Sequence, residues 1–368
     1  MEHIAFFTDK LSTGGVGKMR ANLSNELVSL GCKVDLVART TNSPYKSLFD
    51  PSVRLIEIGT TNRIFALPKL VRYLITQKPD VLISDRLRLN FLALDAKRIA
   101  MAKTKICMSV HVPLSLRLAR LSPSKRKKMD KRLRSYIPRN YSIIAVSHGV
   151  AHDLKTNLGF PADKIKVVYN PAVTKGIFEM AKEEVDHPWF KDHSLPILLS
   201  AGRFYPQKDY PTLIAAFKKV LSNTKCRLMI LGDGELKQDI ENLIKKEGLE
   251  EWVCLPGFQK NPYKYMARAD LFVLSSKWEG LPNVLLETMA LGTPIVSTDC
   301  PYGPKEILKN GELGPLVPVG DVEGLAHAIV KALNNPTPSE ILKSAASRFT
   351  VENSAKNYLK AVGSKQSE

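Results

Sequence analysis

Short apolar runs alternate with segments of helical periodicity along the whole sequence. Runs of four to six mostly apolar residues predict buried strands, and leucine or methionine repeated at helical spacing predicts helices. In the first half, the predicted strands are His3–Thr8, Lys33–Ala38, Arg54–Ile58, Val81–Ser84, Lys105–Val110, Ser142–Val146 and Lys166–Tyr169. The predicted helices of this half are Gly14–Leu30, Leu67–Gln77, Leu92–Met101 and a helix capped by Ser147.

The same alternation starts again after residue 196. The predicted strands are Ile197–Ala201, Arg227–Leu231, Trp252–Leu255, Leu271–Leu274 and Pro294–Thr298. The predicted helices are Pro211–Leu221, Leu236–Glu247, Asn261–Arg268, Asn283–Ala290, Val322–Leu333 and Ser339–Ala361. Repeated strand–helix–strand units form parallel sheets covered by helices on both faces. The pattern therefore predicts an α/β fold of two doubly wound, Rossmann-like domains.

The domain boundaries follow from one break in this alternation. Residues 174–196 are mixed and charged and contain Pro188 and Pro196, so we predict a linker there. We expect an N-terminal domain over residues 1–173, a second domain over residues 197–349, and a C-terminal helix over residues 350–368 that returns to the N-terminal domain. A length of 368 residues suits two domains. Ligands of such sheets bind beyond the carboxyl ends of the strands, which predicts a site in a cleft that the two domains face.

Composition and cysteine spacing narrow the class of protein. Hydrophobic residues make up 44% of the chain and charged residues 24%, which excludes a disordered chain. The five cysteines show no Cys-x-x-Cys spacing, so we expect neither a disulfide framework nor a zinc ribbon, but a reducing cytoplasm. No apolar run reaches the roughly 18 residues of a transmembrane helix. The first ten residues lack the features of a signal peptide.

Half of the net positive charge lies in one short segment. The chain has 54 lysine and arginine residues against 36 acidic residues, a formal net charge of +18. Residues 117–139 contain ten basic residues and one acidic residue, Asp130, with leucine, methionine and tyrosine between them. An excess of this size favours an anionic partner. The segment predicts a solvated helix face, a basic amphipathic helix pair on anionic lipid, or a nucleic-acid patch.

A glycine-rich turn follows the first predicted strand. It reads Ser12-Thr-Gly-Gly-Val-Gly-Lys18. Met19 stands where a P-loop has serine or threonine, and Arg20 stands where a dinucleotide-binding fingerprint has its third glycine. Three glycines let backbone amides approach a ligand closely, and a helix N-terminus favours an anion. The motif therefore predicts either an anion site or a plain tight turn.

Charged side chains follow two predicted strands of the second half. Arg203 and Lys208 lie just past strand Ile197–Ala201. Two cations at this position suit a diphosphate. The alternative is a surface loop with a salt bridge to Asp209 and no ligand. Glu279 ends the loop after strand Leu271–Leu274, and Glu287 lies one turn into the next helix. Such carboxylates accept hydrogen bonds from sugar and ribose hydroxyls. The backbone amides around Asn283 and Val284, at the start of that helix, would point at an anion.

These motifs together resemble a family 4 retaining glycosyltransferase with the GT-B fold. The matching segments occur in family order and cover most of the chain: Gly14-Gly-Val-Gly17, Gly202-Arg-x4-Lys-Asp209, Leu231-Gly-Asp-Gly-Glu235, Leu255-Pro-Gly-Phe258, Glu279-x7-Glu287 and Ala290-Leu-Gly-Thr-Pro294. The stretch Asp299–Glu306 is similar to the bacterial branch that builds lipid-linked glycans and surface polysaccharides. The GT-B fold implies two Rossmann-like domains that face a central cleft.

The resemblance implies a role for each matching position. Arg203 and Lys208 would hold the donor pyrophosphate, Glu279 would bond hydroxyls of the transferred sugar, and Glu287 would bond the ribose. His111 matches the family histidine near the donor sugar, although a lone histidine at a strand end is often structural. The other donor-site candidates are Gly15 and Gly17 near the phosphates or the acceptor, Phe258 in the loop that frames the base, and Asn283 and Val284.

The predicted function is retaining transfer of a hexose or N-acetylhexosamine from a UDP-sugar to a hydroxyl of a lipid-linked glycan. The resemblance implies neither a cofactor nor a metal, because Arg203 and Lys208 carry the phosphate charge. We expect a cytoplasmic enzyme, peripheral on the inner face of the cytoplasmic membrane, that docks on anionic lipid through residues 113–139. The alternatives are a soluble glycosyltransferase, a GT-B sugar-nucleotide epimerase, and a non-catalytic polyanion-binding protein. Nucleic acid is disfavoured because no nucleic-acid-binding motif is present.

Overall fold

The computed structural model describes residues 1–10, 15–43, 45–60, 62–192 and 194–364. The chain divides into two compact units. The first unit comprises Met1–Ala172 and the C-terminal segment from Val351, and the second comprises Val173–Thr350. Strands and helices are numbered below in chain order.

The first unit contains a seven-stranded sheet in which all paired strands are parallel. Its strands are β1 (His3–Lys10), β2 (Lys33–Thr40), β3 (Arg54–Glu57), β4 (Val81–Ser84), β5 (Lys105–Val110), β6 (Ser142–Ala145) and β7 (Ile165–Val167). The spatial order is β3-β2-β1-β4-β5-β6-β7. Its helices are α1 (Gly15–Ser29), α2 (Arg63–Gln77), α3 (Leu87–Ala100), α4 (Leu114–Ala119), α5 (Pro123–Tyr136), α6 (His148–His152) and α16 (Val351–Ala361).

Helices on both faces explain why the central strands are apolar throughout. Ile4 and Phe6 of β1 pack with residues of α1 and α16, whereas Ala5 and Phe7 pack with residues of α2 and α3. A strand covered on both faces has no solvent side, so its apolar residues do not alternate with polar ones. The C-terminal helix α16 lies against α1 and completes one of these two layers.

The second unit repeats this architecture with a six-stranded parallel sheet. Its strands are β8 (Ile197–Ala201), β9 (Arg227–Leu231), β10 (Val253–Cys254), β11 (Leu271–Leu274), β12 (Ile295–Thr298) and β13 (Leu316–Val317), in the spatial order β10-β9-β8-β11-β12-β13. Its helices are α7 (Lys175–Ala181), α8 (Pro188–Asp192), α9 (Tyr210–Leu221), α10 (Lys237–Lys246), α11 (Tyr263–Met266), α12 (Asn283–Leu291), α13 (Pro304–Ile307), α14 (Val322–Asn334) and α15 (Ser339–Ala346). The predicted fold class of two doubly wound parallel sheets is confirmed.

Residues 174–196, which the sequence suggested as a linker, belong to the packed body of the second unit. They form α7 and α8 and bury Ile177, Val185 and Phe190. Arg268 donates a hydrogen bond to the carbonyl of Ala181 at 2.8 Å. These few apolar residues are spaced too irregularly among charges for a sequence pattern to reveal their burial.

Several predicted elements differ from the observed ones at their ends. The helix predicted over Ser339–Ala361 is two helices, α15 and α16, separated by a 3-10 turn at Ser347–Phe349 and by the extended residue Thr350. Strand β13 was not predicted, because a two-residue strand has no detectable period. The predicted start of the first helix, Gly14, lies outside the described residues. No helix of the described residues is both long and apolar enough to cross a bilayer.

The strand orders define one switch point in each sheet. In the first sheet, β1 has neighbours β2 and β4, so the chain leaves it in opposite directions. In the second sheet, β8 has neighbours β9 and β11 in the same way. Ligands of doubly wound sheets bind at the carboxyl ends of the strands beside such a point. The loops after β1, β4, β8 and β11 are therefore where functional side chains are expected.

A buried carboxylate fixes the opposite, amino-terminal edge of the first sheet. Asp35 is fully buried and accepts hydrogen bonds from His3 at 2.8 Å, Tyr73 at 2.7 Å and Arg54 at 2.7 and 2.6 Å. Burial alone would raise the pKa of Asp35, but the hydrogen bonds from His3, Arg54 and Tyr73 outweigh it and hold that pKa well below the ordinary carboxyl range. The ionised carboxylate thus ties β1, β2, β3 and α2 together.

We predict that Asp35→Asn lowers the free energy of unfolding in urea at neutral pH by about 3 kcal/mol, because it removes the charge of a buried carboxylate that accepts four hydrogen bonds. The folded pKa of Asp35 is depressed, so its stabilisation is full above about pH 4 and is lost as the pH falls further. The difference between the wild type and Asp35→Asn should therefore shrink in acid. The control is Asp186→Asn, which removes an exposed partner of Lys191 and should change stability little. Equal effects of the two substitutions would contradict the prediction.

Candidate functional site

A lysine and a glutamate meet at the switch point of the second sheet. Lys208 ends a 3-10 turn after β8, and Glu279 lies in the loop after β11, the strand paired with β8. The Nζ atom of Lys208 is 2.8 Å from Oε1 of Glu279. The two side chains are 15% and 10% exposed. This contact joins two of the residues that the sequence analysis singled out, 71 positions apart along the chain.

The Glu279 carboxylate is held by its own loop and by the following one. Ser276 donates its hydroxyl to Oε1 of Glu279 at 2.8 Å. The backbone N–H of Glu279 donates to the carbonyl of Pro301, and its carbonyl accepts from the N–H of Tyr302. Burial, together with the nearby Glu279 carboxylate, raises the pKa of the Cys300 thiol to about 12, so that thiol stays protonated.

The Lys208 side chain lies over a glycine. A Cβ added at Gly202 would come within 2.8 Å of Cε of Lys208, so any larger residue there would require the lysine side chain to move. Ser275 donates its hydroxyl to the carbonyl of Lys208 at 2.7 Å. Asp209 pairs with Lys277 at 3.1 Å and accepts from Thr212. The alternative in which Lys208 merely pairs with Asp209 is therefore not what the structure shows.

The Leu231-Gly-Asp-Gly-Glu235 motif packs against the loop after β8 that carries Lys208. A Cβ at Gly232 would overlap the carbonyl oxygen of Gly202, and a Cβ at Gly234 would overlap the backbone of Phe204. Two stretches of backbone thus pack directly against each other after β8 and β9. The glycines of this motif thus allow the loop after β9 to pack directly against the backbone of Gly202 and Phe204.

Helix α12 begins four residues after Glu279. Asn283 and Val284 are its first two residues, and N–H groups of a first helical turn have no acceptor within the helix. Glu287 lies one turn further and is half-buried. Its Oε1 atom accepts the hydroxyl of the buried Tyr263 at 2.9 Å. Sequence analysis missed Tyr263, because a tyrosine in a short helix gives no sign of which carboxylate it meets.

Arg203 and Phe258 are more exposed than their neighbours. The Arg203 guanidinium lies 5.4 Å above the ring centroid of Tyr205. The Phe258 side chain is 58% exposed. Its loop is joined to the loop after β9 by a hydrogen bond from Gly232 N–H to the carbonyl of Gly257. Both side chains are thus presented to solvent at the carboxyl edge of the second sheet.

The first unit has its own polar cluster at its switch point. Asp85 directly follows β4, and His111 directly follows β5. Arg20 of α1 donates a hydrogen bond to Asp85, and Nε2 of His111 is 3.8 Å from the same carboxylate oxygen. Burial would raise the pKa of Asp85, but Arg20 and His111 outweigh it and hold that pKa below its ordinary value. Sequence analysis singled out His111 but neither Arg20 nor Asp85 as a site residue.

Gly15 and Gly17 lie in the first turn of α1 in the same unit. Ser12, Thr13 and Gly14 of the glycine-rich motif lie outside the described residues. The structure therefore places the second half of that motif at a helix start beyond the carboxyl end of β1.

The basic segment, residues 113–139, forms helices α4 and α5 and a short 3-10 turn. Leu114, Leu118, Leu133 and Ile137 are buried in the first unit. Of the seven apolar positions that the sequence suggested for a lipid-facing surface, Leu118, Leu133 and Ile137 are core positions. The other four are less buried: Leu121, Met129 and Tyr136 are partly buried, and Leu116 is exposed. What the segment exposes is mainly cationic and includes Lys125–Lys128. Within the described residues there is no group of three or more histidine, cysteine, aspartate or glutamate side chains that could hold a metal ion.

Two family models match the chain. Residues 13–175 match the model described as Glycosyltransferase Family 4, and residues 181–349 match the model described as Glycosyl transferases group 1. The chain belongs to the family 4 glycosyltransferases, as its motifs indicated.

Two curated relatives come from bacteria. The N-acetylgalactosamine-N,N'-diacetylbacillosaminyl-diphospho-undecaprenol 4-alpha-N-acetylgalactosaminyltransferase of Campylobacter jejuni is 34% identical over 209 residues, 57% of this chain and 55% of that protein. The lipopolysaccharide core biosynthesis glycosyltransferase LpsE of Rhizobium meliloti is 34% identical over 195 residues, 53% and 54% of the two chains. The chain thus matches about half the length of these curated relatives.

A solved structure confirms the fold. Anabaena HepE in complex with UDP and glucose has a TM-score of 0.80 to this chain at 17% identity, covering 99% of this chain and 100% of that one. At this level of identity the likeness concerns the fold alone, which is GT-B.

We predict that Lys208 and Glu279 are energetically coupled. Lys208→Met and Glu279→Gln each leave a mostly buried charge without its partner, so the double variant should be more stable than the summed single losses indicate. The coupling from a double-mutant cycle in urea should be about 1–3 kcal/mol. The same cycle on the exposed pair Lys218 and Glu247 should give a much smaller coupling. Equal coupling in both cycles would contradict a desolvated pair at the switch point.

Proposed function

We propose that the protein is a retaining glycosyltransferase that moves a hexose or N-acetylhexosamine from a UDP-sugar to a hydroxyl of a lipid-linked glycan. The observation that carries the proposal is the Lys208–Glu279 pair at the switch point of the second sheet. Nζ of Lys208, a cation suited to a diphosphate, is 2.8 Å from Oε1 of Glu279, a carboxylate suited to sugar hydroxyls. Glu279 lies four residues before the start of α12.

The proposed donor site uses the charges around this pair. Lys208, as a point charge with three donors, and Arg203, as a planar fork, would hold the diphosphate. The N–H groups of Asn283 and Val284 would add the positive end of a helix dipole. Three independent sources of positive charge suit a leaving group whose negative charge grows during the reaction.

The reaction exchanges one bond at C1 of the sugar for another. The bond from C1 to the leaving diphosphate oxygen breaks, and the acceptor oxygen bonds to C1 on the same face. The acceptor proton passes to the leaving diphosphate, so the products are a glycoside and UDP. The transition state resembles an oxocarbenium ion, and preorganised charge beside the leaving diphosphate is the term that usually dominates such catalysis.

The remaining candidates have proposed roles of their own toward the donor. Glu287 would accept the ribose hydroxyls, with Tyr263 fixing the position of its carboxylate. The loop around Phe258 would frame the base. His111, of the first unit, would contact a hydroxyl of the transferred sugar.

The acceptor proposal draws on the relatives and on surface charge. The named Campylobacter jejuni relative acts on an undecaprenol diphosphate glycan, and the Rhizobium meliloti relative acts in lipopolysaccharide core biosynthesis, as their names state. Both contexts supply a glycan attached to lipid. A basic face on the first unit, with Lys125–Lys128 exposed, is suited to the anionic surface in which such an acceptor sits.

The direct experiment is UDP release from a panel of UDP-sugars, with and without an undecaprenyl-diphosphate-linked saccharide. We expect acceptor-dependent release by the wild type, and a loss of about 10²–10³-fold in both Arg203→Ala and Lys208→Ala. Lys218→Ala, which removes an exposed lysine of α9, should have no effect.

Near-wild-type turnover in both Arg203→Ala and Lys208→Ala would contradict the proposal that these two side chains hold the donor diphosphate. Conversion of a UDP-sugar into its epimer without an acceptor would favour the epimerase alternative. Binding of duplex DNA without any turnover would favour the polyanion-binding alternative.

We further propose that the enzyme docks on the cytoplasmic face of an anionic membrane through residues 113–139. Because the large apolar side chains of this segment other than Leu116 are buried or partly buried, docking would rest mainly on charge. Each lysine or arginine near such a surface contributes about 1 kcal/mol, and the attraction is screened beyond about 8 Å at physiological salt. Binding should therefore be reversible and salt-sensitive.

We predict that replacing Lys125, Arg126, Lys127 and Lys128 with serine releases the protein from phosphatidylglycerol vesicles in co-sedimentation at moderate salt. Serine replacement of the four exposed lysines Lys218, Lys219, Lys245 and Lys246 removes the same charge from the second unit and should leave binding largely intact. If both quadruple variants lose binding equally, net charge rather than this segment is responsible, and the docking proposal fails.

A further inference from the structure

Three elements of the first unit bring charged side chains together at its switch point. Arg20 comes from the second turn of α1, Asp85 from the end of β4 and His111 from the end of β5. Strands β4 and β5 are neighbours in the sheet, with Ser84 opposite Met108, so Asp85 and His111 leave the sheet side by side. Their side chains are 2%, 6% and 10% exposed.

The contacts of the cluster give each side chain a fixed orientation. The Arg20 guanidinium lies 4.0 Å above the ring centroid of Phe6 and donates to Oδ1 of Asp85. Nε2 of His111 is 3.8 Å from that same oxygen and 3.1 Å from the hydroxyl of Ser109. That hydroxyl is also 3.3 Å from the phenol of Tyr358 on α16. The Nε2 side of the ring therefore faces an ionised carboxylate and a hydroxyl.

The other ring nitrogen of His111, Nδ1, lacks a hydrogen-bond partner in the part of the chain that the structure describes. Among the described residues, Nδ1 of His111 is buried and has no hydrogen-bond partner, and the same holds for Nε and Nη1 of Arg20. A buried polar atom without a partner destabilises the fold, and such an atom is typical of a position where a ligand completes the bond. A neutral imidazole carries its proton on one nitrogen only, so the environment of Nε2 decides what Nδ1 offers.

We propose that Arg20 and Asp85 are positioning residues for His111. The carboxylate keeps the proton of the neutral ring on Nε2, and Nδ1 is thereby presented as a hydrogen-bond acceptor for a sugar hydroxyl. Arg20 keeps Asp85 ionised and in place. The contact to a sugar rests on the proposed function, whereas the tautomer is a property of the protein alone.

The tautomer is measured directly on protein labelled with ¹⁵N-histidine, by long-range ¹H–¹⁵N correlation in alkaline buffer without substrate. The seven histidines are resolved by comparison with His111→Gln. We expect Nε2 of His111 to appear as the protonated nitrogen and Nδ1 as the unprotonated one. A wild-type spectrum with the proton on Nδ1 overturns the proposal, even if no other variant folds.

The substitution Asp85→Asn tests whether the Asp85 carboxylate determines the tautomer of His111. It leaves the Arg20 charge unbalanced beside Nε2, so the proton should move toward Nδ1. Asp35→Asn is the control, because it also breaks a pair between an arginine and a buried aspartate, but at the opposite edge of the same sheet. Its His111 signals should be unchanged. An unchanged His111 tautomer in Asp85→Asn overturns the proposal.

The kinetic comparison separates this inference from the proposed function. In UDP release, Asp85→Asn should lower kcat about 100-fold per folded molecule with little change in the donor KM, as expected when a contact group is misplaced. Asp35→Asn should keep kcat, and an equal loss there would mean that Asp85 acts only on stability. If the wild type turns over no UDP-sugar, the proposed function fails, and the tautomer measurement still decides the positioning role.

Discussion

A mostly desolvated ion pair is stable only when both side chains are held at hydrogen-bond distance. In the second unit, the loops around Lys208 and Glu279 must hold these two side chains in that way. Gly202 leaves room for the lysine, Ser276 fixes the carboxylate, and the backbone of Pro301 and Tyr302 fixes the loop that carries it. The glycines of the Leu231–Glu235 motif bring the next loop close enough to support this arrangement. Gly202, Gly232 and Gly234 thus shape the loop that carries Lys208.

Each unit has an ion pair at the switch point of its sheet. In each, a cation from the segment after the first strand meets a carboxylate after the strand on the other side of the switch point: Arg20 with Asp85, and Lys208 with Glu279. The first pair is the more buried of the two. In our account the second pair handles the donor charges, while the first acts through His111.

The sequence predicted the parts of this arrangement that depend on local pattern. Apolar runs located the strands, and Lys208 and Glu279 were predicted as site residues because they follow strands, where ligands of such sheets bind. His111 was predicted from the resemblance to the family 4 glycosyltransferases. The contact of Lys208 with Glu279 joins positions 71 apart and that of His111 with Asp85 joins positions 26 apart, and no local period encodes either. Arg20 appeared only as a departure from a glycine fingerprint, and its partner Asp85 was not recognised. The segment over residues 174–196 looked like a linker because its three buried apolar side chains are scattered among charges.

The most direct test of the account is a crystal structure of the protein with UDP. We expect the diphosphate within hydrogen-bond distance of the Arg203 and Lys208 side chains and of the backbone N–H groups at the start of α12, with the ribose hydroxyls on Glu287. We also expect Lys208 to reach the diphosphate while Glu279 remains held by Ser276. A diphosphate bound elsewhere, with the Lys208–Glu279 pair untouched, would contradict the assignment of this pair to the donor.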